Sequence, residues 1–157
     1  MKSVFFTFLF MFYGLLNCFS QFHPAAGISG TNAIHKDSSI IKTWARSCSI
    51  SRGYIKIGDT SVYFSQNGIT SNKAFFGDEQ SIIGYPSDIN HSVSLGDGGS
   101  AILSSDKIIF DGEGYDFAVF ENGLKSNFNP FQYFLELAFV EVSSNGVDFV
   151  RFPSVSL

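Results

Sequence analysis

Apolar and polar positions alternate in short bursts along most of this chain, and the bursts are too brief for helices. Tyr54 to Ile57, Ser61 to Ser65, Ser81 to Gly84, Val93 to Leu95, Ala101 to Ser104 and Lys107 to Phe110 each stop at a Gly, Asn, Asp or Ser break, the pattern of short strands joined by turns. Asp116 to Glu121 (DFAVFE) and Tyr133 to Ser143 (YFLELAFVEVS) are the strongest strand candidates. In the second, Leu135, Leu137 and Phe139 share one face, while Phe134, Ala138, Val140 and Val142 share the other. A strand apolar on both faces belongs in the middle of a packed architecture. Asn145-Gly146 then predicts a hairpin into Val147 to Phe152. Helical spacing occurs once, over Ser38 to Ser47, where Ile40, Ile41, Trp44 and Ala45 fall on one stripe behind a capping serine. The expected fold is all-β: an antiparallel two-sheet β-sandwich, jelly-roll-like, with one short N-terminal helix. Phe117, Val119, Leu135, Leu137 and Phe139 are expected in one core, with Trp44 and the helix covering one end.

The first residues follow a different rule. Lys2 precedes an almost unbroken apolar run, Val4 to Leu16, and Cys18 and Ser20 place small residues at −3 and −1 of a cut before Gln21. This is the pattern of a secretory signal peptide; a membrane span needs roughly 20 apolar residues. A lipoprotein variant would instead use Cys18 as the lipidated residue. The chain is thus expected to divide into a signal peptide (1–20), an extended N-terminal arm (21–37) and a sandwich domain (38–157), either complete or truncated at its C-terminus. The whole chain carries a net charge of −4. Loss of Lys2 with the leader leaves 9 basic and 14 acidic residues, a net charge of −5. With no basic run, nucleic acid is not an expected partner, and the mature chain has no transmembrane segment. Cys48 is the one cysteine left after the cut and reads as a small buried hydrophobe.

Two glycine-rich stretches raise the question of chemistry. Ser94 to Leu103 (SLGDGGSAIL) sets Gly96, Gly98 and Gly99 at the front of a strand. A phosphate loop would need a helix to follow, and alternating residues follow instead. The glycines therefore suit a bulged strand or a close approach of two backbones. The second stretch, Asp111 to Asp116 (DGEGYD), alternates acids with glycines. Asp97, Asp111, Glu113, Asp116 and Glu121 supply the oxygen ligands that calcium takes, against the alternative of ordinary acidic surface loops. Glu121, Glu136 and Glu141 offer carboxylate pairs of the kind a glycoside hydrolase uses. His23, His35 and His91 lie in unrelated loops and support no triad.

The segment VEVSSNGVDFVRF (Val140 to Phe152) resembles the strand–turn–strand of discoidin-like, galactose-binding β-sandwich modules. The longer core SLGDGGSAIL, GEGYDFAVFEN and FLELAFVEVSSNGVDF, spread over Ser94 to Phe152, resembles secreted cell surface proteins of Bacteroidetes-type bacteria. It departs from that core at Ser105-Asp106 and in the Lys125 to Phe131 insertion. The resemblance implies a place outside a Gram-negative cell, and for some members a role beside TonB-dependent outer-membrane transporters for cobalamin-like ligands. It carries no ligand residues over.

The expectation is a secreted or cell-surface module that binds a glycan or small exogenous ligand without catalysis. A glycoside hydrolase using two of the three glutamates, and a structural or accessory piece of a surface uptake complex, are the alternatives.

Overall fold

A computed structural model describes residues 26–88, 90–121, 123–128 and 133–154. The signal segment, Gln21 and His23 lie outside the described residues. The chain divides into two units, Met1–Ala33 with Pro153–Leu157, and Ile34–Phe152. In the first unit, Thr31 donates its amide to the Ile28 carbonyl (3.2 Å), and Gly27 and Gly30 both take φ near +88°. The described part of the expected arm is therefore turned, since paired positive-φ glycines break an extended run.

The second unit is built of short antiparallel strands, and no α-helix occurs among the described residues. β1 (Ser47–Ser51) pairs with β4 (Ser100–Ser104), and β2 (Phe64–Gln66) pairs with β3 (Ile69–Ser71). β5 (Leu124–Lys125) pairs with β6 (Tyr133–Phe134), and β7 (Glu141–Val142) with β8 (Val150–Arg151). All-β character stands; each sheet has two strands.

The segment Ser38 to Ser47 is not helical. Ile41 closes one turn onto the Ser38 carbonyl (3.2 Å), and the backbone then runs extended into β1. The reason lies at its end: the Arg46 amide goes to the Ser104 carbonyl (2.8 Å), so the chain is committed to the β1–β4 ladder where a helix would need it locally. The stripe Ile40, Ile41, Trp44 was real, but tertiary pairing overrode it. Among the described residues the one helical segment is a 3₁₀ turn, Glu79–Ile82, in a stretch whose sequence reads as a strand. Asp78 and Ser81 cap it reciprocally, each side chain taking the other's backbone amide.

The unit centres on Arg52-Gly53-Tyr54. The β1–β4 register, in which Ser51 faces Ser100, carries on to the bridge between Tyr54 and Asp97. Tyr54 also bridges Lys73 on its other side. Gly53 donates to Leu95 (2.8 Å) and accepts from Ala74 (3.0 Å), so one short segment sits between two others. Arg52 closes the arrangement: its guanidinium donates to the carbonyls of Phe76 (2.9 Å), Gly77 and Ser94 (both 2.5 Å).

Asn145-Gly146 does lie in a hairpin, but not as a two-residue turn. Glu141 pairs with Arg151 and Val142 with Val150, leaving a loop over residues 143–149. The two-residue turn is Asn67-Gly68, with Asn67 at φ 53° and Gly68 at φ 81° between the paired Gln66 and Ile69. Both central residues at positive φ are what a type I′ hairpin requires.

Burial corrects the expected core. Among the described residues no large apolar side chain is buried; Phe117, Val119, Leu135, Leu137 and Phe139 are 39–67% exposed. Residues 117–120 and 135–140 belong to no ladder, and their apolar side chains stay exposed. Phe117 does find one partner, the Phe152 ring at 5.5 Å.

Candidate functional site

The GDGG glycines sit where two backbones touch. A Cβ on Gly53 would overlap the Asp97 carbonyl and the Gly99 amide, and a Cβ on Gly99 would overlap the Leu95 carbonyl. Gly96 at φ 77° turns the chain so that the Gly99 amide returns to its carbonyl (3.0 Å). Close approach of backbone accounts for Gly96 and Gly99, while Gly98 serves a positive-φ turn at φ 75°.

The five candidate calcium ligands are not brought together. The Asp97 carboxylate accepts the Ile57 amide (3.0 Å), and Asp116 folds back onto the Gly112 amide (2.9 Å). Glu121 accepts the Glu136 amide (3.3 Å), while Asp111 and Glu113 are exposed. Among the described residues no three His, Cys, Asp or Glu side chains are grouped to hold a metal ion. Each carboxylate that has a partner here serves a backbone amide, a use that sequence spacing cannot distinguish from metal binding.

The glutamates divide similarly. Glu141 pairs with Arg151 across β7–β8, its Oε1 2.8 Å from both Nε and Nη2. The same guanidinium lies 4.1 Å over the Phe139 ring. Glu141 is thus tied to a cation, whereas Glu121 and Glu136 meet through a backbone amide. Cys48 is half-buried on β1, and burial foremost pushes its thiol pKa up, which disfavours the thiolate. His91 hydrogen-bonds Ser87 (3.1 Å) within its own turn.

A constellation that sequence reading missed lies around Trp44. The Trp44 ring meets Tyr85 edge-on at 5.7 Å and Phe120 at 5.5 Å. Lys36 places its ammonium 4.9 Å over the Tyr85 ring and donates to the carbonyls of Pro86 (2.7 Å) and Ser87 (3.3 Å). The Tyr85 hydroxyl donates to the Asp37 carboxylate, whose other oxygen lies 3.5 Å from His35 Nδ1. The Gly84 amide to the Ala45 carbonyl (2.9 Å) brings the two segments alongside. Tyr85 is 44% and Phe120 39% exposed, so aromatic surface and a carboxylate reach solvent together. The one available signal was the single tryptophan, Trp44, close behind His35-Lys36-Asp37. Tyr85 and Phe120 are too far along the chain for spacing to reveal.

No helix long and apolar enough to cross a membrane occurs among the described residues. Compared with protein-family models, curated proteins and solved structures, the chain finds no match.

Proposed function

We propose that this chain is an exported, non-catalytic binding module at the surface of a Gram-negative bacterium, related to the discoidin-like surface proteins its core resembles. Its ligand is a glycan or similarly small exogenous molecule, and its strands belong to a two-sheet sandwich. The observation that carries the reading is the half-exposed group of Trp44, Tyr85 and Phe120 beside Asp37 and Lys36. Aromatic rings take the apolar face of a sugar, while a carboxylate and an ammonium address its hydroxyls. The leader-like residues 1–20 support export, and the Glu141–Arg151 pairing favours binding over hydrolysis.

Glycan-array binding followed by calorimetry on the mature chain tests this. Binding is expected, and Phe120→Ala and Asp37→Asn should each weaken it while leaving the far-ultraviolet dichroism unchanged. A chain that binds no glycan, or that binds equally well with both substitutions, overturns the assignment of this site.

A further inference from the structure

Of the chain's three Asn-Gly pairs, two lie wholly among the described residues, both exposed, and the structure treats these two differently. At Asn145 the carboxamide is locked: Oδ1 accepts from the Val147 (2.9 Å) and Asp148 (2.8 Å) amides, and Nδ2 donates to Asp148 (2.7 Å). The Gly146 amide is occupied too, donating to Ser143 Oγ (2.9 Å). At Asn67 neither the carboxamide nor the Gly68 amide has a hydrogen-bond partner among the described residues. Both asparagines are exposed, so solvent access does not separate them. The β2–β3 hairpin around Asn67 is held by only three residue pairs, and its residues are mostly exposed.

We propose that Asn67 is a site of spontaneous modification, converting to aspartate and isoaspartate, while Asn145 is protected by its turn. The Gly68 nitrogen, once deprotonated, attacks Cγ of Asn67. The new N–Cγ bond closes a succinimide as the Cγ–Nδ2 bond breaks, and Nδ2 takes up a proton to leave as ammonia. Water then opens the ring. Cleavage of the N–Cγ bond leaves aspartate, and cleavage of the bond to the main-chain carbonyl leaves isoaspartate. Isoaspartate adds one carbon to the main-chain path, which a two-residue turn cannot absorb, so the Gln66–Ile69 pairing is lost. The modification is a one-way release of the β2–β3 hairpin. It does not depend on the ligand site.

The full chain, aged at neutral and mildly alkaline pH and digested with trypsin, reports both sites separately. Asn67 lies in the peptide Ile57 to Lys73, and Asn145 in Ser126 to Arg151. Fragment-ion mass spectrometry should find Asn67 converting several-fold faster than Asn145, with a rate that rises with pH because the amide must lose its proton. Ser143→Ala, which frees the Gly146 amide, should raise conversion at Asn145 towards that at Asn67. Equal or faster conversion at Asn145 in the parent chain overturns the proposal, as does a rate at Asn67 that ignores pH. Asp148→Ala is the second variant, and it should act in the same direction as Ser143→Ala.

Discussion

Gly53 is the position where a single methyl group would do most damage. It is buried between Asp97 and Gly99, and a Cβ there would displace backbone rather than a side chain. Gly53→Ala should destabilise the unit by about 1–3 kcal/mol, the usual cost of overpacking. Gly58→Ala is the matched control: its Cβ meets nothing within 4 Å, so its cost should stay within about 0.5 kcal/mol. Urea denaturation of the two variants checks both values. Asp97 makes a second test at this scale. Its carboxylate serves the Ile57 amide, so Asp97→Ala should cost about 0.5–1.5 kcal/mol. That loss should be the same with calcium and with chelator, as thermal melts in both conditions would show. A loss seen only with calcium would return Asp97 to a metal site.

The elements show how local chemistry chooses between identical signals. Asn67-Gly68 becomes the tight turn because Phe64 to Gln66 and Ile69 to Ser71 pair directly on either side. At Asn145-Gly146, Ser143 and Asp148 offer side-chain partners that compete with the two-residue turn, and the loop widens. The 3₁₀ turn carries its own pH dependence. The Ser81 hydroxyl, and then the Ser81 amide, hold the Asp78 carboxyl below the usual carboxylate range. A depressed acid stabilises the folded form above its unfolded pKa, and the contribution is lost as pH falls through the folded value. Chemical shifts of the Ser81 amide should therefore report fraying of Glu79–Ile82 on acidification below the normal aspartate range. Asp78→Asn should remove that acid transition. The Glu141–Arg151 pair is exposed, so Glu141→Gln should cost no more than about 1 kcal/mol in chemical denaturation.

Across the unit Ile34–Phe152, half-burial concentrates in residues 34–105, while nearly all described side chains from Asp106 onward are exposed. Amide hydrogen exchange should follow that division. Protection is expected at Gly53, Tyr54 and Asp97, with fast exchange over residues 117–120 and 135–140. Leu137 is 52% exposed, so Leu137→Ala should cost no more than about 1 kcal/mol, where a core leucine would cost about 2–5 kcal/mol. Denaturation midpoints of that variant decide between the two placements. The apolar residues of Asp106 onward are numerous and uncovered, a surface of the kind that marks interaction sites.

Period-two alternation and turn residues made the all-β class legible, because side-chain direction along a strand follows from the backbone alone. The glycine positions were legible for a related reason: a missing Cβ in a strand marks a place where something comes close. What came close was not, since Gly53 and Gly99 lie far apart in the chain and meet only through the β1–β4 register. The same holds for the aromatic group, whose members Trp44, Tyr85 and Phe120 come from three separate stretches. Tertiary pairing also drew Ser38 to Ser47 away from helix, by giving the Arg46 amide a partner across the sheet. It also decided which carboxylates are spent on backbone amides. Sequence determines which residues can alternate, turn or bend, because those properties belong to one residue and its neighbours. Which distant groups meet, and so where a ligand can be held, is decided only when strands choose their partners.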